Sequence, residues 1–263
     1  MSKIDDLRSC LKQMGSILIA FSGGVDSTFL LKVAHDVLGE KVLAVIGESP
    51  TFPQEEVEFS KNMSSELGVR SLVIKTCEFQ DPNFVANNKD RCYYCKSELF
   101  SKLKEIAKEK NIPHVLDGSN FDDKSDYRPG SKASAELGVR SPLQELGFTK
   151  EDIRKYSKEL GLVTWDKPSY ACLSSRIPYG TKITQEILDK VGAGERFLKS
   201  LGFRQLRVRH HDTIVRIEIE RSEMERLNDG MMERISKKFE QLGYLYVTLD
   251  LKGYRTGSMN QVF

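Results

Sequence analysis

Residues able to do chemistry gather first at Ser22-Gly23-Gly24-Val25-Asp26-Ser27, directly after an apolar run. Two glycines there let the backbone turn tightly and aim its N–H groups at an anion, and the helix expected to follow adds its positive end. Ser22, Ser27 and Thr28 supply hydroxyls, and Asp26 is placed to hold a Mg²⁺ that bridges phosphates. A Gly-Lys-Ser/Thr ending is missing, so transfer of a terminal phosphoryl group is not the expected reaction. The bland alternative is an ordinary strand-to-helix turn capped by Ser22. Ser49 after the second strand and Gly118 after the fourth complete the expected nucleotide contacts, with Asp26 also counted as catalytic.

Five cysteines form the second group. Cys92-Tyr93-Tyr94-Cys95 sits just before an expected helix, and Cys172 lies in the polar stretch Ser169-Tyr170-Ala171-Cys172-Leu173-Ser174-Ser175-Arg176. A Cys-x-x-Cys pair suits one metal or cluster, although two partly buried thiols without a ligand, or a redox pair, also fit. Arg176 would lower the pKa of Cys172 if the two side chains meet, which makes both catalytic candidates. Cys10 and Cys77 read as ordinary buried cysteines.

Arg207 and Arg209 alternate with Leu206 and Val208, so both guanidiniums fall on one side of a strand and suit a phosphate; a solvated strand face is the alternative. Arg128, fixed by Pro129-Gly130, is a further anion contact. Glu145 reads equally as a cleft ligand or a surface carboxylate, and His210 and His211 as surface residues of a hairpin turn. Asp122, Asp123 and Asp126 read as a solvated turn, and Trp165 as boundary packing.

The elements that must position these groups follow from periodicity. Ile4, Leu7, Leu11 and Met14 mark a helix over 4–14, and Ile17 to Phe21 a strand buried on both faces. Helices over 27–37, 54–67 and 95–110 then alternate with strands over 41–46, 71–74 and 114–117. The pattern predicts an α/β, doubly wound parallel sheet whose loops after Phe21, Ile46 and Leu116 share one cleft. Past residue 168 a helix over 185–201, a hairpin over 204–220, a helix over 224–242 and a strand over 245–249 predict a smaller α+β domain. The expected domains are 1–168 and 169–263.

With 263 residues, 39% of them hydrophobic, the chain suits a globular protein of one or two domains. No apolar run approaches the roughly 18 residues of a membrane span. The polar start, Met1 to Asp6, does not resemble a targeting peptide, so a cytoplasmic location is expected. Lys and Arg (40) nearly balance Asp and Glu (38), which argues against a nucleic-acid partner.

The loop resembles the signature of the PP-loop ATP pyrophosphatases, which form an adenylate and release pyrophosphate. Asp117-Gly118-Ser119-Asn120, Asp126 to Gly130, Ser141 to Glu145, Ser174 to Gly180, Arg207 to His210 and Tyr246 to Asp250 extend the likeness over nearly the whole chain. Together they resemble the LarE family of sulfur transferases. That resemblance implies ATP and Mg²⁺ as cofactors and pyridinium-3,5-biscarboxylic acid mononucleotide as substrate. A carboxylate is adenylated and then displaced by sulfur, twice, in nickel-pincer nucleotide synthesis. One branch sacrifices its own cysteine as the sulfur source. A second carries three cysteines and a [4Fe–4S] cluster fed by a sulfide donor, which implies Cys92, Cys95 and Cys172 as ligands here. Whether the sacrificed cysteine aligns with Cys172 or Ala171 stays open. The resemblance also implies a hexamer. The rival readings are a tRNA thiolation enzyme of the same superfamily and a non-catalytic nucleotide-binding protein.

Overall fold

A computed structural model describes residues 2–125, 129–255 and 257–260. Contacts divide the chain into two compact units, Met1–Phe84 with Lys89–Tyr170, and Val85–Asn88 with Ala171–Phe263.

The first unit runs α1 (Lys3–Met14), β1 (Ile17–Ala20), α2 (Val25–Leu38), β2 (Val42–Glu48), α3 (Gln54–Glu66), β3 (Arg70–Lys75), a turn of helix α4 (Pro82–Val85), α5 (Arg91–Glu109), β4 (His114–Leu116), α6 (Gly130–Glu136), α7 (Pro142–Glu145) and α8 (Lys150–Glu159). Its four strands are all parallel in the order β3-β2-β1-β4, with Ile17 paired to both Val42 and His114. The period of two along β1 sends neighbouring side chains to opposite faces. Ile17 and Ile19 pack with Leu7, Leu11, Phe29 and Ile153, whereas Leu18 packs with Phe100, Leu103 and Val115. Burial on both faces explains why the run Ile17 to Phe21 is continuously apolar. The sheet is therefore doubly wound, and its strand order reverses between β1 and β4, where such sheets bind ligands.

Two of the elements that differ from the expectation bear on the candidate site. Helix α5 starts at Arg91, so Cys92 lies in its first turn and not ahead of it, and Cys95 follows one turn later. Helix α8 is not among the helices that periodicity predicts; Thr149 caps it, accepting from the Asp152 N–H (3.2 Å) while the Asp152 carboxylate accepts from the Thr149 N–H (3.0 Å).

The second unit contains α9 (Gln185–Ser200), β5 (Leu206–His211), β6 (Ile214–Ile219), α10 (Asp229–Gln241) and β7 (Tyr246–Leu249). β6 pairs antiparallel with β5 and parallel with β7. Thr184 and Asn228 cap α9 and α10. α10 starts later than its apolar pattern predicts, because 221–226 form a 3-10 turn and Asn228 supplies the cap. Residues 85–88 join this unit through buried Asn87, whose amide donates to the carbonyls of Pro178 (2.8 Å) and Thr181 (2.9 Å). No helix among the described residues is long and apolar enough to cross a membrane.

Candidate functional site

β1 ends at Ala20 and α2 begins at Val25, so the glycine-rich segment is the crossing between them. Gly23 adopts φ +65°, open to glycine at little cost, and a Cβ there would lie 2.5 Å from Ser60 Oγ. Gly24 is the N-cap of α2, which leaves Val25, Asp26 and Ser27 in its first turn. Ser27 Oγ donates to the Gly24 carbonyl at 3.2 Å and lies 3.2 Å from Ser22 Oγ. Its hydroxyl thus holds the loop closed from within. Thr28 is fully buried, and its hydroxyl has no hydrogen-bond partner among the described residues.

The loop after β4 packs directly on this turn. Gly118 has no room for a side chain, because a Cβ would lie 3.0 Å from the Ser27 backbone nitrogen. Asp117, buried behind it, accepts from Ser119 Oγ (3.0 Å) and Ser141 Oγ (2.6 Å), which fixes the β4 loop in shape. Asn120 then donates its amide to Asp26 at 3.3 Å, and its carbonyl accepts from Gln144. Ser49, past the end of β2, is buried; its oxygen accepts the Thr51 N–H at 3.1 Å and sits 2.6 Å from Thr51 Oγ1. Thr51 in turn donates to buried Glu78 at 3.1 Å.

Two lysines that belong to no motif complete this site. Lys150, the first residue of α8, donates to the Asp26 carboxylate in a short ion pair. Lys167 donates to the Gly23 carbonyl (3.1 Å) and to Glu56 (2.9 Å), with its ammonium 3.5 Å from the centre of the Phe59 ring. Both come from distant sequence and are brought to the loop by the fold. The Thr149-x-x-Asp152 box is the one local signal that could have pointed to Lys150; Lys167 has none.

Cys92 and Cys95, three residues apart, share one face of α5. Both are half-buried thiols near the start of that helix. That donor chemistry fits an iron–sulfur or metal ligand pair. Glu145 is an exposed partner of Arg140 and also accepts the Ser141 N–H at 3.2 Å. Asp122 and Asp123 are not a merely solvated turn: they accept the backbone N–H groups of Lys150 (2.8 Å) and Asn120 (3.0 Å). Trp165 is partly exposed beneath the Lys158 ammonium. Arg128 and Asp126 lie outside the described residues.

In the second unit Cys172 precedes a 3-10 turn, Leu173–Arg176, and is half-buried. Arg176 is fully buried and forms a two-pronged pair with buried Glu195, at 2.8 and 3.0 Å. It also donates to the carbonyls of Ala171 (2.7 Å) and Cys172 (3.1 Å). The guanidinium therefore grips the main chain around Cys172, where the sequence suggested a direct effect on the thiol. Burial disfavours the charged form of Glu195, but Arg176 overcomes this and holds its carboxyl below the usual range.

Arg207 and Arg209 share one face of β5 as expected, but that face is interior and not solvated. Arg209 pairs with buried Glu218 at 2.8 Å and donates to the Ser175 carbonyl at 3.0 Å, while Arg207 lies 4.9 Å from the centre of the Tyr254 ring. Burial first, then neighbouring Arg176, pushes the Arg207 pKa down. The buried arginines of this unit thus lie beside buried carboxylates, Arg176 with Glu195 and Arg209 with Glu218. His210 is a correction: it lies in β5, buried, with Nδ1 3.1 Å from the Tyr244 hydroxyl, because the turn falls on Asp212 (φ +51°). His211, also in the strand, is half-buried.

No protein-family model matches the chain. Among curated proteins, an uncharacterised protein of Synechocystis is 44% identical over 262 residues, covering 99% of this chain and 98% of its own length. A glutamine-hydrolysing GMP synthase component from Archaeoglobus fulgidus is 27% identical over 170 residues, 60% of this chain and 55% of that one, a likeness to the PP-loop enzymes. The pyridinium-3,5-bisthiocarboxylic acid mononucleotide synthase of Lactiplantibacillus plantarum is 42% identical over 257 residues, 97% of this chain and 92% of the relative. A likeness of that extent, running through both units, makes this chain a member of the LarE family to which that synthase belongs.

Proposed function

We propose that the chain is an ATP-dependent sulfur transferase that converts the carboxylates of pyridinium-3,5-biscarboxylic acid mononucleotide into thiocarboxylates. What carries this reading is the 42% identity over 97% of the chain to a synthase named for that product. In the first step a substrate carboxylate oxygen attacks the α-phosphorus of ATP and pyrophosphate leaves. In the second, sulfur attacks the acyl carbon of the adenylate and AMP leaves with the former carboxylate oxygen.

Residues 1–168 bind ATP in this scheme and 169–263 bind the substrate nucleotide. Backbone N–H groups of Gly23 to Ser27 receive the phosphates, aided by the Ser22 hydroxyl and the positive end of α2. Asp26 supplies a carboxylate oxygen for Mg²⁺, and Asn120 orients it. Ser49 and Gly118 bound the nucleoside. Arg207, Arg209 and Arg128 recognise the substrate phosphate. Arg176 fixes the main chain around Cys172, and so positions the thiol.

Cys92, Cys95 and Cys172 are cysteines of the type that hold a [4Fe–4S] cluster. When bound through three cysteines, such a cluster leaves one iron open to carry a sulfide to the activated carbon. The protein's working form is proposed as a cytoplasmic homo-oligomer, a hexamer by resemblance, supplied by a sulfide donor. Anaerobic cluster reconstitution followed by a sulfide-dependent assay on the bis-carboxylate nucleotide tests the scheme. Repeated turnover with about four irons per chain is expected. Single turnover by iron-free protein, with sulfur lost from a cysteine, would contradict the cluster route.

A further inference from the structure

The phosphate loop has no lysine of its own, yet two are brought to it, and they are held differently. Lys167 is committed on three sides: the Gly23 carbonyl, Glu56 and the Phe59 ring. The Lys150 side chain meets one partner among the described residues, the Asp26 carboxylate that the proposed function gives to the metal. Its backbone is fixed, since Thr149 and Asp152 cap the helix and its own N–H donates to Asp122 at 2.8 Å. Its side chain keeps about a third of its surface exposed, at 32%. A rigid base with a solvated four-carbon stem lets the ammonium swing while its origin stays put.

Electrostatics gives that freedom a use. Without ligand, Asp26 is a carboxylate at the mouth of a loop built to attract anions, and Lys150 neutralises it. A divalent cation arriving with a triphosphate needs the same carboxylate oxygen that the ammonium holds. The two cations compete for it, and the displaced ammonium then stands beside a polyanion within reach of its stem.

We propose that Lys150 is an exchangeable counter-ion: it holds Asp26 in the empty site and transfers to the β- or γ-phosphate when metal and ATP bind. This rests on the loop being an ATP site, as proposed above. The β- and γ-phosphates are what AMP lacks, so the exchange discriminates ATP from AMP and favours release of the spent nucleotide.

The test is calorimetric binding of ATP and of AMP, with Mg²⁺, to the full chain and to Lys150→Ala and Lys150→Arg. A charge-assisted contact to phosphate is worth about 10-fold or more in affinity. Lys150→Ala should weaken ATP by at least that factor and change AMP by less than about 3-fold, with Lys150→Arg between. Mn²⁺ added without nucleotide should bind Lys150→Ala more tightly than the parent, because Asp26 is then unoccupied. Equal weakening of ATP and AMP, or unchanged ATP affinity in a variant whose heat unfolding matches the parent, would overturn the exchange. A parent chain that binds no ATP overturns the reading of the loop itself, which separates the two failures.

Discussion

Replacing Arg176 by methionine removes the cation from a fully enclosed ion pair in the second unit. Arg176 is 0% exposed and Glu195 2%. Methionine keeps most of the stem's volume but strips Glu195 of its two-pronged partner, while the Val208 N–H still donates to it at 3.2 Å. The carbonyls of Ala171 and Cys172 lose a donor as well. Breaking a buried pair by deleting one partner costs about 3–5 kcal/mol. At about 2–4 °C per kcal/mol for a chain of this size, the thermal transition of the chain should fall by about 6–20 °C. Scanning calorimetry on the full chain reads this directly. The double variant Arg176→Met with Glu195→Leu should recover much of the loss, since two apolar groups replace a buried pair with little penalty. Acid adds a second readout. The folded pKa of Glu195 lies below its ordinary value of 4.5, so its contribution is whole above about that pH and is lost as pH falls through the folded value. The double variant should lose this part of the acid dependence. A single variant that loses less than about 1 kcal/mol, as exposed pairs do, would show that the pair is not the buried brace described here.

Three further outcomes follow from the same geometry. Gly118→Ala places a Cβ 3.0 Å from the Ser27 nitrogen, so it should push the phosphate loop and raise the KM for ATP, with a stability loss of about 1–3 kcal/mol in thermal denaturation. Burial lowers the His210 pKa below its ordinary 6.5, so the unfolded chain takes up a proton that the folded chain refuses; stability should fall as pH drops below about 6.5, and His210→Phe should flatten that slope in urea titrations. Thr149→Ala removes the cap of α8 and should cost about 1 kcal/mol, with weaker ATP binding because Lys150 loses its fixed base.

The sequence is most informative where the chemistry is local. The run Ile17 to Phe21, the glycines after it and the capped helix α2 are neighbours along the chain, so periodicity and turn residues specify them. The same is true of the hairpin face shared by Arg207 and Arg209. Its burial is not legible, because strand alternation tells the side on which a residue lies but not what covers that side. Glu195 and Glu218, which make a buried arginine face tolerable, sit on other elements. Lys150 and Lys167 escape for the same reason: they lie 124 and 144 residues from their loop partners, Asp26 and Gly23. Cys92-x-x-Cys95 is visible as a pair, but its helix begins a few residues earlier than the apolar pattern suggests, since sequence signals are weakest at helix ends.

Everything proposed for the chemistry depends on the Ser22–Ser27 loop activating a carboxylate as its adenylate. Substrate nucleotide with heavy oxygen in its carboxylates, incubated with the chain, ATP and a sulfur source, tests this in one mass spectrum. One heavy oxygen should appear in each AMP released, together with unlabelled pyrophosphate, and both should be lost with Asp26→Asn. Unlabelled AMP, or label appearing in inorganic phosphate, would mean that no adenylate forms on the carboxylate.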